Sequence, residues 1–201
     1  MFILRFFVIA LIMFAAWLVT SDAFSHASDS PLLKVPIRSR LTSRITTIKE
    51  ASCTQNLPKG VSAHFAAAGT SALKCPSLAG WQPYLVSTDE RSWIDLVFGS
   101  YHWSTERKVV YESIGEFPNV GSDQLIWLKD GSGAVSVIFK ITAQVPASTD
   151  HVDGYYVVSL IGDVARFCGT TGTIQEANTL AAIPERCVEE LPRQSIFSGK
   201  W

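Results

Sequence analysis

The chain lacks the marks of most catalytic and nucleic-acid-binding classes. It has no G-x-S-x-G, H-E-x-x-H, C-x-x-C or G-x-G-x-x-G pattern and no P-loop. It also lacks a charge excess: 17 Lys and Arg stand against 18 Asp and Glu, for a net charge of −1. A nucleic-acid partner or an anionic membrane surface needs a basic excess, so neither is expected. No two cysteines stand at the C-x₂₋₄-C spacing of a zinc site. No metal, cofactor or catalytic residue is therefore assigned from the sequence.

What is present begins at the N-terminus. Arg5 precedes an apolar run from Phe6 to Thr20, and Ser21 and Ala23 occupy the −3 and −1 positions of a cleavage site. This is the pattern of a secretory signal peptide over residues 1–23, with a second cut available after Ala27. The run is shorter than the roughly 20 residues that a spanning helix needs. No membrane span is expected once the segment is removed, and a periplasmic or secreted protein is.

That compartment decides how Cys53, Cys75, Cys168 and Cys187 are read. An even number of cysteines in an exported chain implies disulfides. Three pairings are available. The local one, Cys53–Cys75 with Cys168–Cys187, is preferred; it closes loops that each stabilise by about 3 kcal/mol.

Residues 24–44 are polar, with Pro31, Pro36 and the bases Lys34, Arg38, Arg40 and Arg44, and read as a flexible leader. One domain is expected over 45–191, with an irregular tail at 192–201. Ile45 to Ile48 is a candidate strand, and Gln55 to Thr70 a loop or a weak helix over His64 to Ala68. Trp81 to Val86 and Arg91 to Phe98, joined by the polar Ser87 to Glu90, form a hairpin pattern. In its second strand Ile94, Leu96 and Phe98 share one face, and Trp93, Asp95 and Val97 the other. Leu125 to Lys129 and Ala134 to Ile141 flank Asp130-Gly131-Ser132-Gly133, a tight-turn sequence. Val135, Val137, Phe139 and Ile141 alternate into the core. A polar loop at Pro146 to Asp153 precedes a strand at Tyr155 to Ile161, and Ala165 to Cys168 is a short return. Thr173-Ile174-Gln175-Glu176 is a capping box that starts a helix, and Pro184 ends it. The fold class expected is α+β: mostly an antiparallel β-meander, with one C-terminal helix packed on the sheet and two disulfides.

Tyr101-His102-Trp103 is the most unusual short stretch. Neighbouring residues of a strand point to opposite faces, so part of it is expected at the surface, where aromatics contact ligands or proteins. Core packing is the preferred reading, because Trp81, Trp93 and Trp127 also read as structural; on the alternative, these three are the candidate binding residues. His151-Val152-Asp153 would set an imidazole beside a carboxylate, as a general base needs. Asp95, Asp123 and Asp130 are candidate carboxylates for glycoside chemistry. His64 sits among alanines, and Gly169 to Gly172 reads as a plain turn.

Cys75-Pro76-Ser77-Leu78-Ala79-Gly80-Trp81, followed by Tyr84-Leu85-Val86 and Asp89-Glu90-Arg91, resembles a block shared by a family of exported proteobacterial proteins of unknown function. Phe117-Pro118-Asn119 with Leu125 to Leu128, and the region from Tyr156 through Cys168 and Asn178 to Cys187, resemble its later blocks. Ser77 replaces the usual glycine, and Pro184 interrupts the helix. The resemblance implies a bacterial periplasmic or secreted protein, agrees with local cysteine pairing, and carries no catalytic residue. The expected function is a non-enzymatic module that binds an envelope protein or a cell-wall component. The alternatives are a cell-wall hydrolase using acidic residues with His102 or His151, and a structural envelope protein without a discrete site.

Overall fold

Alternating aromatic and branched residues fold this chain into two antiparallel sheets, where one continuous meander was expected. The computed structural model describes residues 41–131 and 133–195. The expected signal peptide, most of the expected leader and residues 196–201 lie outside them. In chain order come β1 (Thr42–Thr47), α1 (Lys59–Ala67), β2 (Ser71–Lys74), β3 (Trp81–Ser87), β4 (Ser92–Phe98) and β5 (Tyr101–Trp103). After a single π-helical turn at Arg107–Tyr111 follow β6 (Glu116–Val120), β7 (Gln124–Asp130), β8 (Gly133–Gln144), β9 (His151–Ile161) and β10 (Val164–Thr171). Then come α2 (Ile174–Ala181), β11 (Glu189–Glu190) and β12 (Arg193–Ser195).

The larger sheet runs β1-β7-β8-β9-β10-β11, with β6 beside the far half of β8; the smaller runs β12-β5-β4-β3-β2. Each contains a meander of sequential strands. The stretch from Ser104 to Gly115 forms no strand and separates β2–β5 of the smaller sheet from β6–β11 of the larger; β1 and β12 cross over to the other sheet. Trp81 and Phe98 of the smaller sheet share a crevice with Val135 and Leu160 of the larger, so these faces adjoin. Trp81, Trp103, Trp127, Phe139 and Ile94 are fully buried in the main core cluster.

Both expected hairpins are present; Val137, Phe139 and Ile141 join the main core as read, whereas Val135, at a register shift between β7 and β8, packs with Ile138, Ala177 and Ala181 in a second cluster. In β8, Val135, Val137, Phe139 and Ile141 are buried. Ser136 and Ile138 on the opposite face are buried too, because α2 lies on it: the Ser136 hydroxyl donates to the Ala181 carbonyl at 2.8 Å. Thr173 caps α2 as its sequence requires, accepting from Glu176 N at 3.3 Å while Thr173 N donates to Glu176 Oε2 at 3.2 Å. The helix ends before Pro184.

Five expectations are corrected. α1 is a regular helix although no side chain caps it. Val61 and Phe65, four residues apart, hold it down by burial, a tertiary effect that overrides weak local signals. β1 begins at Thr42, inside the expected leader, because β7 supplies its partner. His151 to Asp153 are strand, paired with Gln144 to Thr142, and Gly169 to Thr171 continue β10 past a bulge. The expected irregular tail contains β12, paired with β5.

Disulfides join Cys53 to Cys75 and Cys168 to Cys187. Each closed loop contains one helix, α1 in the first and α2 in the second. Helices of nine and eight residues are marginal alone. Closing each loop confines its helix near the sheet it covers.

Replacing either disulfide by two serines should therefore lower unfolding free energy by about 3 kcal/mol, read by urea titration. The Cys168–Cys187 variant should lose hydrogen-exchange protection first in α2, and the Cys53–Cys75 variant first in α1. Trp103→Ala should cost about 3–5 kcal/mol, as expected for a core aromatic.

Candidate functional site

The two features with chemistry are a buried hydrogen-bonded chain behind the smaller sheet and a wide polar cleft at one end of the larger. The first is built on the β4–β5 hairpin. Gly99-Ser100 joins the strands as a two-residue turn, with Gly99 at φ 58, and Phe98 faces Tyr101 in register. That register sets His102 opposite Val97 and diagonal to Asp95 on one face.

Asp95 is 2% exposed. Its Oδ2 lies 2.7 Å from His102 Nε2, and its Oδ1 accepts from Thr105 N at 2.9 Å. A carboxylate only accepts, so His102 donates from Nε2, and in the neutral ring its Nδ1 is left as an acceptor. His64 of α1 fills it, with Nε2 at 3.2 Å. Phe65 packs beside the pair, its ring centroid 5.4 Å from that of His102 and 5.6 Å from that of Tyr84. The chain thus runs from strand to strand to helix and ends at a half-buried imidazole. Burial and the neighbouring His102 hold the His64 pKa below its ordinary 6.5, against a smaller opposing pull from Asp95. Glu106 lines the same pocket of about 180 Å³. Burial and the Asp95 charge push its carboxyl above the usual range, with His102 pulling the other way.

Of the three candidate binding residues, only His102 enters this site, through its imidazole. Trp103 is wholly buried and Tyr101 half-buried beneath the Arg193 guanidinium, 4.3 Å from the ring centroid. The stretch is a strand paired with β12, and its burial follows the core reading rather than that of an exposed aromatic loop. β4 is buried on both of its faces, with His64 and Phe65 of α1 lining a pocket with Trp93 and Asp95.

The cleft, of about 990 Å³, is lined by the β3–β4 turn, β6, the turn after it and the β8–β9 end. Phe117 stands in it at 41% exposure with φ 46. A bulky residue at positive φ is a backbone outlier. Asn119 holds it there: its Nδ2 donates to the carbonyls of Phe117 at 2.9 Å and Glu90 at 2.8 Å. Ser92 in turn donates to Asn119 Oδ1 at 3.0 Å and accepts from Val120 N at 2.9 Å. Arg91 sits over the Phe117 ring at 5.5 Å. Gly121 is obligatory in the wall, since a Cβ there would lie 2.0 Å from Thr142 Oγ1.

The other candidates are not brought together. Asp123 lines the cleft and pairs with Lys49 at 2.9 Å. Asp130 accepts from Gly133 N in the β7–β8 turn. Asp153 bonds Lys140 at 2.7 Å and Thr142 at 2.6 Å rather than orienting His151. Those bonds hold its carboxyl below the usual range. Gly169 to Thr171 are strand, not an anion-binding turn. Among the described residues, no three of His, Cys, Asp or Glu are set to hold one metal ion, and no helix is long and apolar enough to cross a membrane. No family model, no curated protein and no solved structure matches the chain.

One signal in the sequence pointed to these places. Gly99-Ser100 is a two-residue hairpin sequence, and reading it would have set His102 opposite Val97 and diagonal to Asp95. Nothing local marked His64 or Phe117.

His64 gives a pH prediction. Its folded pKa lies below 6.5, so between the two values the unfolded chain binds a proton that the folded chain does not. Stability should fall as pH drops through 6.5. Glu106 acts in the opposite sense, in a window that opens upward from 4.5. His64→Gln should flatten the fall below pH 6.5 and leave the Glu106 window, as read by thermal melts across pH.

Proposed function

We propose that this chain is an exported, non-enzymatic domain that binds a cell-wall glycan in the cleft presenting Phe117. The observation that carries the reading is the conformation of Phe117, a large ring kept partly in solvent at positive φ by three side chains. Such strain costs about 1–3 kcal/mol and persists where a ligand uses the geometry. A sugar has an apolar C–H face and a rim of hydroxyls. Phe117 offers a ring for the face, and the carboxylates of Asp89, Glu90 and Asp123 line the cleft as acceptors. The near-neutral net charge suits an uncharged polymer better than a polyanion. The apolar N-terminal run and the two disulfides support export into an oxidising compartment.

Phe117→Gly separates binding from folding. Glycine accepts the backbone and removes the ring, so the melting temperature should hold or rise. Co-sedimentation with purified, insoluble cell-wall polysaccharide should show saturable binding by the wild type and at least about tenfold weaker binding by the variant. Equal sedimentation of both, or of neither, overturns the reading.

A further inference from the structure

We propose that His64 and His102 form a two-histidine binding site for a borderline transition-metal dication, zinc or copper, independent of the cleft. His64 Nε2 and His102 Nδ1 stand 3.2 Å apart. Two imidazole nitrogens bound to one tetrahedral ion at 2.0–2.1 Å are about 3.3 Å apart. The nitrogen spacing thus already suits one cation, which would sit about 1.3 Å to the side of the N···N line once the rings turn to aim at it. The rings meet at 72°, each presented by its own element, His64 by α1 and His102 by β5.

The surroundings fit. A metal-ligating histidine characteristically gives its other N–H to a carboxylate, which fixes the tautomer and strengthens the donor nitrogen. His102 does this to Asp95 at 2.7 Å, and Thr105 N fixes Asp95 in turn. The pocket of about 180 Å³ that opens on both imidazoles has room for water ligands. Glu106 lines the same pocket and is the candidate for a further oxygen ligand. Trp93 lines it too, and its buried Nε1–H has no acceptor among the described residues. The nearest strong cations are engaged elsewhere: Arg107 with Glu112 at 2.9 Å, and Lys108 with Glu112 and Glu189. Imidazole nitrogen with oxygen selects zinc and copper over magnesium or calcium. Two fixed protein ligands imply micromolar affinity, weaker than that of a closed structural site.

The test titrates zinc chloride into the untagged, disulfide-intact protein at pH 7.5 by calorimetry. One saturable equivalent in the micromolar range is expected. His64→Gln should weaken it at least tenfold, and Glu106→Gln several-fold. Imidazole resonances of the unmutated protein give a second reading that needs no variant. Zinc should shift His64 and His102 and leave His26 and His151 in place. Absence of saturable binding, unchanged affinity in His64→Gln, or shifts confined to His26 or His151 would each overturn the proposal.

Discussion

The Asp95 carboxylate is the constraint on which the smaller sheet is organised. It sits 2% exposed in the middle of an aromatic and branched strand. An ionised carboxylate in that position is costly unless charge-assisted hydrogen bonds satisfy it. Thr105 N and His102 Nε2 do so, and both lie on the chain that returns along β4. The demand of one buried oxygen pair thus fixes the β4–β5 turn, the direction of the His102 ring and the exit of the chain after β5. His64 then closes the series and ties α1 to the sheet.

The rest of the architecture is a solution to double-sided burial. β4 and β8 carry apolar or satisfied polar residues on both faces, so each sheet needs a cover as well as a partner. The covers are short helices with little stability of their own. α1 has Val61 and Phe65 as its apolar contact, and α2 has Ala177 and Ala181. Each lies within a disulfide-closed loop, so covalent closure replaces the length that would otherwise hold a helix in place. Oxidation is in this sense part of the core of the domain.

Much of the strand content was legible, for a physical reason. Alternation over β3, β4, β7 and β8 encodes which side chains share a face whatever packs on it. Asp130-Gly131 and the Thr173 to Glu176 box encode turns and caps through local hydrogen bonds. The site was less legible. His102 was singled out among aromatics, as a surface contact, whereas it acts as a buried imidazole between Asp95 and His64. β12, which buries Trp103, is three polar residues with no strand signature of their own. α1 lacked a cap and an amphipathic stripe, so His64 had no element to place it.

The sequence by itself determined the register of each hairpin, the start and stop of α2, and the apolar faces of the long strands, because these depend on residues a few positions apart. The two sheets, the second covered face of β4, and the meeting of His64 with His102 across 38 residues were decided only by tertiary packing. So was the pose of Phe117, whose φ of 46 is imposed by Asn119 and Ser92. No local preference favours that backbone for phenylalanine. It exists because a distant strand edge supplies the hydrogen bonds that hold it.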